Sequence, residues 1–151
     1  MYFFSVIIPL YNKANFIAET LRSVVNQEFS DFEVVICNDG STDDSAKVVE
    51  RFNDNRIKLV HQENKGASAA RNRAVKESTG EYIAFLDADD LWYPDHLRHL
   101  HYLINHYQRA KLYVTNYKIK ICGNRERLPF FSNKLGIGII EDYFLASLSD
   151  A

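Results

Sequence analysis

The 151-residue chain has only two cysteines, Cys37 and Cys122, far apart in apolar surroundings and in no CxxC pair. That count excludes a disulfide-stapled secreted scaffold and fits a reducing compartment. An excess of one charge is also missing, because 18 basic and 20 acidic residues are spread along the chain for a formal charge of −2. Such a balance makes no basic field to attract a nucleic-acid backbone, so no nucleic-acid partner is expected. There is no long hydrophobic run. The apolar start, Phe3 to Leu10, lacks a basic leader, contains Pro9 and falls far short of the ~20 residues needed to cross a bilayer. It reads as a buried strand, and the expected location is cytoplasmic, or the inner face of a membrane in a longer protein. The turn after this strand contains no glycine, whereas a dinucleotide-binding dehydrogenase or a methyltransferase wants a glycine-rich turn there. No GxxxxGK[ST] segment occurs either, which argues against a P-loop nucleotidase.

What is present is a chain 46% hydrophobic and 25% charged, enough for one globular domain with a real core. Strand-like and helix-like patterns alternate along it. Phe3 to Ile8 and Phe32 to Cys37 follow the pattern of strands buried on both faces of a parallel sheet, Ile57 to His61 reads as a third short strand and Tyr82 to Leu86 as a fourth. Between them, Ile17, Leu21, Val24 and Val25 recur at helical spacing from Ala14 to Asn26. A second helix is expected after a cap at Ser41 or Thr42, with Asp43 and Asp44 suiting its N-terminus and Val48, Val49 and Phe52 as its stripe. Ala67, Ala70 and Ala74 give a third helix, ending near Gly80, a small-residue face for close packing on the sheet. Pro94 to Tyr107 reads as a helix opened by proline, and Lys111 to Cys122 as a longer fifth strand. The expected class is α/β, a doubly wound, mostly parallel sheet with flanking helices, which binds ligands beyond the carboxyl ends of its strands.

Three of those ends are polar. Strand one stops at Pro9-Leu10-Tyr11-Asn12, strand two at Asn38-Asp39-Gly40-Ser41 and strand four at Asp87-Ala88-Asp89-Asp90. Asn38 to Ser41 also suits a plain turn and helix cap. The three carboxylates of Asp87, Asp89 and Asp90 repel one another unless a cation offsets them. Mg²⁺ or Mn²⁺ would serve, since these ions take oxygen ligands, typically one or two carboxylates plus substrate phosphates; an acidic loop capping the next helix is the alternative. His96, His99 and His101 cluster at a helix start without a further ligand, so solvated helix histidines are expected rather than zinc. Cys37 reads as a small core residue, Trp92 and Tyr93 as packing where the helix begins, and Arg71 and Arg73, taken alone, as surface charges.

The segments FSVIIPLYN, VVICNDGSTDDS, NKGASAARNRA and GEYIAFLDADDLWYPDHL, in this order and spacing, resemble family 2 glycosyltransferases. The resemblance covers residues 3 to 107 and rests on four motifs in register. It implies a GT-A-type fold, a nucleotide-sugar-binding half over residues 3–107 and the start of an acceptor-side half over 108–151. It places Pro9 and Tyr11 beside the nucleotide base, and matches Asp39 to an aspartate that accepts a hydrogen bond from uracil N3–H, a role suited to a group that can only accept. Arg71 matches an arginine near the base and diphosphate, and Asp87 and Asp89 the ends of a DxD motif, with Asp87 on the nucleotide side and Asp89 the direct metal ligand. Many members have two aspartates where this chain has Asn38-Asp39; Asn38 keeps the acceptor oxygen and loses the charge.

The activity so implied is metal-assisted, inverting transfer of a sugar from a nucleoside diphosphate donor, UDP-linked by preference, to a carbohydrate or lipid-linked acceptor in polysaccharide biosynthesis. A carboxylate base would take the acceptor proton while the metal stabilises the departing diphosphate. Glu141 and Asp142 are the only late acidic pair; their setting, Ile139 to Leu145, also suits a helix N-terminus, so Asp142 is a weak candidate base. The chain stops within that apparent helix, at Ser147 to Ala151, so residues 1–151 are expected to be one truncated catalytic domain. Two other readings stay open: a non-catalytic nucleotide-sugar-binding module, and a nucleotidyltransferase, which usually carries a glycine- and basic-rich first loop not found here.

Overall fold

The computed structural model describes residues 1–115, 118–121 and 125–127. In chain order its first elements are β1 (Phe4–Leu10), α1 (Ile17–Val25), β2 (Phe32–Asp39) and α2 (Ser45–Glu50). They are followed by β3 (Ile57–Gln62), α3 (Ala67–Lys76), β4 (Tyr82–Phe85) and α4 (His96–His106). The four strands form one parallel sheet in the order β3-β2-β1-β4, with Phe4 beside both Phe32 and Tyr82. The chain divides into two units, Met1–His99 and Leu100–Ala151, and the sheet lies wholly in the first.

β1 and β2 take the centre and are buried at nearly every position, their apolar stretches at residues 6–8 and 34–37 suiting strands covered on both sides. Ile7, Val35 and Cys37 pack against Ala70 and Ala74 of α3, with Val60, Val75 and Ile83 around them. The two alanines let the helix approach the sheet closely. Residues alternating with these, Val6, Ile8, Val34 and Ile36, point to the opposite face and are fully buried. The α1 stripe of Ile17, Leu21 and Val24 is fully buried as well, each side chain contributing about 1.5–3 kcal/mol of apolar burial.

At the amino ends of the strands sits a polar knot. Ser5 Oγ donates to Glu33 Oε1 at 2.7 Å, and the same carboxylate accepts from Thr79 Oγ1 at 2.9 Å and from the Gly80 amide at 3.2 Å. Burial pushes the Glu33 carboxyl up, and the hydrogen bonds from Ser5, Thr79 and Gly80 outweigh it, leaving it below its ordinary value. Gly80 is required here, because a Cβ would lie 2.5 Å from Ser5 Oγ and 2.7 Å from the Ser5 amide nitrogen.

Two expectations are corrected. Neither Ser41 nor Thr42 caps α2, which begins at Ser45 after Asp44; their polar groups bond instead to Asn12 of the β1–α1 turn. The long fifth strand is not formed, since residues 111–115 are irregular. In the second unit, β5 (Ile119–Ile121) pairs antiparallel with β6 (Arg125–Arg127). Cys122, Glu141 and Asp142 lie outside the described residues.

Candidate functional site

The strand order reverses between β1 and β4, and in an open α/β sheet the carboxyl ends beside such a reversal form the ligand crevice. A cavity of about 370 Å³ lies there, within the range of small-molecule sites. Four separate segments supply its wall. Pro9 and Tyr11 come from the end of β1 and the turn after it, Asp39 from the last residue of β2, Arg71 from α3, and Asp87 and Asp89 from the loop after β4. Every residue that the sequence assigned to nucleotide or metal is therefore gathered at one opening.

Asp39 is buried and three donors already hold it. Gln62 Nε2 and the Lys65 amide donate to Oδ1 at 2.6 and 2.8 Å, and the Gly66 amide donates to Oδ2 at 2.8 Å. Burial alone would raise its pKa; the bonds from Gln62, Lys65 and Gly66 outweigh this and hold it below the usual carboxylate value. Gly66 reaches Asp39 with φ of +87°, a conformation that side chains rarely adopt. A carboxylate has about four acceptor positions, so one on Oδ2 is left for a ligand. Asn38 has the local role: its Oδ1 accepts the Ser41 amide at 3.1 Å, which closes the turn, and its Nδ2 meets His61 Nδ1 at 3.1 Å.

The loop after β4 carries the expected crowding of charge. Asp90 is pushed above its ordinary pKa by burial and then by the carboxylates of Asp87 and Asp89, with Lys13 opposing. Two basic groups offset Asp87 and Asp89. Arg71 Nη2 lies 2.5 Å from Asp87 Oδ1, and Lys13 Nζ lies 2.6 Å from Asp89 Oδ2. Arg73 instead pairs with Glu77 on the helix surface, so of the two arginines only Arg71 belongs to the site.

The turn after β1 is tied to the loop after β2. Asn12, at φ of +50°, donates its amide to Ser41 Oγ at 3.1 Å and accepts the Thr42 amide on Oδ1 at 2.8 Å. The Lys13 amide donates to Ser45 Oγ at 2.8 Å, and the Ala14 amide to Asp43 Oδ2 at 3.0 Å. Tyr11 and Lys13 thus stand on a fixed backbone at the cavity edge.

Among the described residues no three or more His, Cys, Asp or Glu side chains gather into a metal site by themselves. Asp87 and Asp89 nonetheless suit Mg²⁺ or Mn²⁺: their side chains are 52% and 41% exposed at the cavity, and these ions are commonly held by one or two carboxylates with phosphate oxygens completing the shell. The histidine cluster is not solvated throughout. His96 stacks on Trp92 at 4.4 Å, and burial lowers its pKa to about 4, which bears out Trp92 as packing. The Tyr93 ring is exposed.

Lys13, Gln62 and the Lys65 and Gly66 amides carry no signal of their own in the sequence. Each acts on a residue at least 23 positions away, and no local pattern announces such partners.

The model of the family described as Glycosyl transferase family 2 matches residues 5–144. The chain belongs to that family. Escherichia coli WfgD, named a UDP-Glc:alpha-D-GlcNAc-diphosphoundecaprenol beta-1,3-glucosyltransferase, is 44% identical over 92 residues, 60% of this chain and 36% of that protein. The crystal structure of S. aureus TarS 1-349 in complex with UDP-GlcNAc is similar with a TM-score of 0.65 and 35% identity, covering 70% of this chain and 32% of that one. The mannosyltransferase PcManGT from Pyrobaculum calidifontis, in complex with GDP-Man and Mn²⁺, gives a TM-score of 0.61 and 35% identity over 64% of this chain and 30% of that one. The chain spans only 14% to 36% of the length of curated relatives such as these. The sheet with its flanking helices is the GT-A fold of these neighbours.

Proposed function

We propose that this chain holds the donor of a glycosyltransferase: a nucleoside diphosphate sugar, UDP-linked, with a divalent cation at the diphosphate. The observation that carries the reading is the meeting of Tyr11, Asp39, Arg71, Asp87 and Asp89 at one cavity beyond the ends of parallel strands. Tyr11, about half exposed at the edge, packs beside the base. Asp39 accepts the uracil N3–H on the position of Oδ2 left open by Gly66. Arg71 turns its guanidinium from Asp87 to the diphosphate oxygens, a planar donor set suited to phosphate. Asp89, with Asp87, holds the cation. A cation bound there supplies positive charge to the leaving diphosphate, where charge grows in the transition state.

The donor is supported by the TarS complexes with UDP-GlcNAc and UDP and by the printed donor of WfgD. The cation is supported by the Mn²⁺ of PcManGT. The transfer proceeds with inversion, a base on the acceptor side taking the acceptor proton; Asp142 keeps its place as a weak candidate. The acceptor is a carbohydrate or lipid-linked sugar, the latter printed for WfgD. The location is cytoplasmic or at the inner face of a membrane, and no helix among the described residues is long and apolar enough to cross one.

Calorimetric titration of UDP and GDP, with and without Mn²⁺, tests the reading. UDP should bind more tightly than GDP and tighten markedly with Mn²⁺, and Asp89→Ala should abolish the tightening. Absence of UDP binding overturns the donor site, and equal UDP affinity with and without metal overturns the cation.

A further inference from the structure

Besides its apolar stripe, α1 carries a polar row at helical spacing, Thr20 and Ser23, continued by Gln27 just beyond the helix end. None of these side chains lines the cavity. All of them bond to the chain between β4 and α4, which has no regular structure of its own. Backbone groups in such a segment need partners from elsewhere when water is kept out.

Thr20 Oγ1 donates to the Ala88 carbonyl at 2.9 Å. Ser23 Oγ accepts the Trp92 amide at 3.2 Å. Gln27 uses both ends of its amide, Nε2 donating to the Tyr93 carbonyl at 2.7 Å and Oε1 accepting the Leu97 amide at 2.9 Å. The Glu28 amide adds a bond to the Pro94 carbonyl at 2.9 Å. The segment from Ala88 to Leu97 is thereby laid along one edge of α1. Its first fixed point matters most. Ala88 stands between Asp87 and Asp89, it is 3% exposed, and Thr20 is fully buried. Neither group of that bond can turn to water without moving the peptide that carries both carboxylates.

We infer that Thr20 is a positioning residue for the cation-holding carboxylates, acting through the Ala88 carbonyl, with Ser23 and Gln27 extending the same hold along the loop. The inference rests on the reading of Asp87 and Asp89 given above. Thr20→Val keeps the shape of the side chain and removes the donor, so the Ala88 carbonyl is left buried without a partner or rotates to find one. Either outcome shifts Asp87 and Asp89 against each other. Groups standing behind metal ligands typically matter roughly 10–100-fold for metal affinity, and a shift confined to this loop belongs at the lower end.

The experiment is calorimetry of UDP with and without Mn²⁺ on the wild-type chain, Thr20→Val and Thr20→Ser, with thermal melts of each. Thr20→Val should bind UDP without metal as the wild type does and lose roughly tenfold of the Mn²⁺-dependent tightening; Thr20→Ser, which keeps the donor, should restore it. Full tightening in Thr20→Val overturns the inference, and so does a proportionate loss of UDP affinity with and without metal, which would mark Thr20 as merely structural. If Thr20→Val does not fold, Ser23→Ala replaces it: a smaller loss confined to the tightening supports the inference, and unchanged tightening overturns it. No tightening in the wild type overturns the reading of the carboxylates, and the inference with it; normal tightening in the wild type with none lost in the variant overturns the inference alone.

Discussion

Lys13 and Asp89, 76 positions apart in the chain, meet with Nζ 2.6 Å from Oδ2 at the cavity edge. The ammonium group stands where the proposed divalent cation would contact the carboxylate. The pair is about two-fifths exposed, and exposed ion pairs are typically worth only about 0.2–1 kcal/mol.

Competition between the two cations follows. Without nucleotide, Lys13→Met should bind Mn²⁺ up to about fivefold more tightly than the wild type, the equivalent of about 1 kcal/mol, and the gain should shrink as salt is added. Electron paramagnetic resonance of free Mn²⁺ reads this directly. Equal or weaker affinity in the variant would show that Lys13 does not compete for the site.

Asp39 carries two duties that one substitution can separate. Asp39→Asn keeps the shape but sets an amide N–H₂ against a backbone or side-chain N–H, since Gln62, Lys65 and Gly66 donate to both oxygens. The expected loss of stability is about 1–3 kcal/mol, the cost of a buried donor left without an acceptor. UDP affinity should fall further than that of N3-methylated UDP, which lacks the donor, while Mn²⁺ affinity without nucleotide stays unchanged. Equal losses for both ligands would make Asp39 a loop clamp only.

Glu33 should make the fold acid-sensitive. Its folded pKa lies below the reference value of 4.5, so its contribution is fully present above that reference and is lost as pH falls through the folded value. Urea denaturation should show stability dropping below about pH 4.5, with Glu33→Gln less stable at neutral pH and flatter over the acid range. Asp39, Asp43, Asp54 and Glu77 are lowered too, so part of the slope remains. An unchanged slope in the variant would assign the acid sensitivity to those residues alone.

The sheet was legible from sequence because its evidence is local. Apolar runs such as Phe32 to Cys37 suit burial on both faces wherever they are placed, and Ala70 and Ala74 announce close packing by their size. Tyr11, Asp39, Arg71, Asp87 and Asp89 were legible as a set because four motifs kept their order, although their roles at the cavity belong to the proposal. Ser41 and Thr42 misled, because their local fitness to cap a helix lost to distant bonds with Asn12. His96 misled for a similar reason: its burial depends on Trp92 lying over it. Lys13 and Thr20 gave no sign at all, since each takes its meaning from the loop after β4.

The two ends of the parallel strands carry different kinds of commitment. The knot of Ser5, Glu33, Thr79 and Gly80 ties the amino ends, while the cavity-lining side chains project from the carboxyl ends and the loops beyond them. A substitution at Tyr11 or Arg71 therefore leaves the knot untouched. A lineage built on this chain can try new ligands at one pole while the other keeps the fold intact, so its chemistry can diversify faster than its architecture.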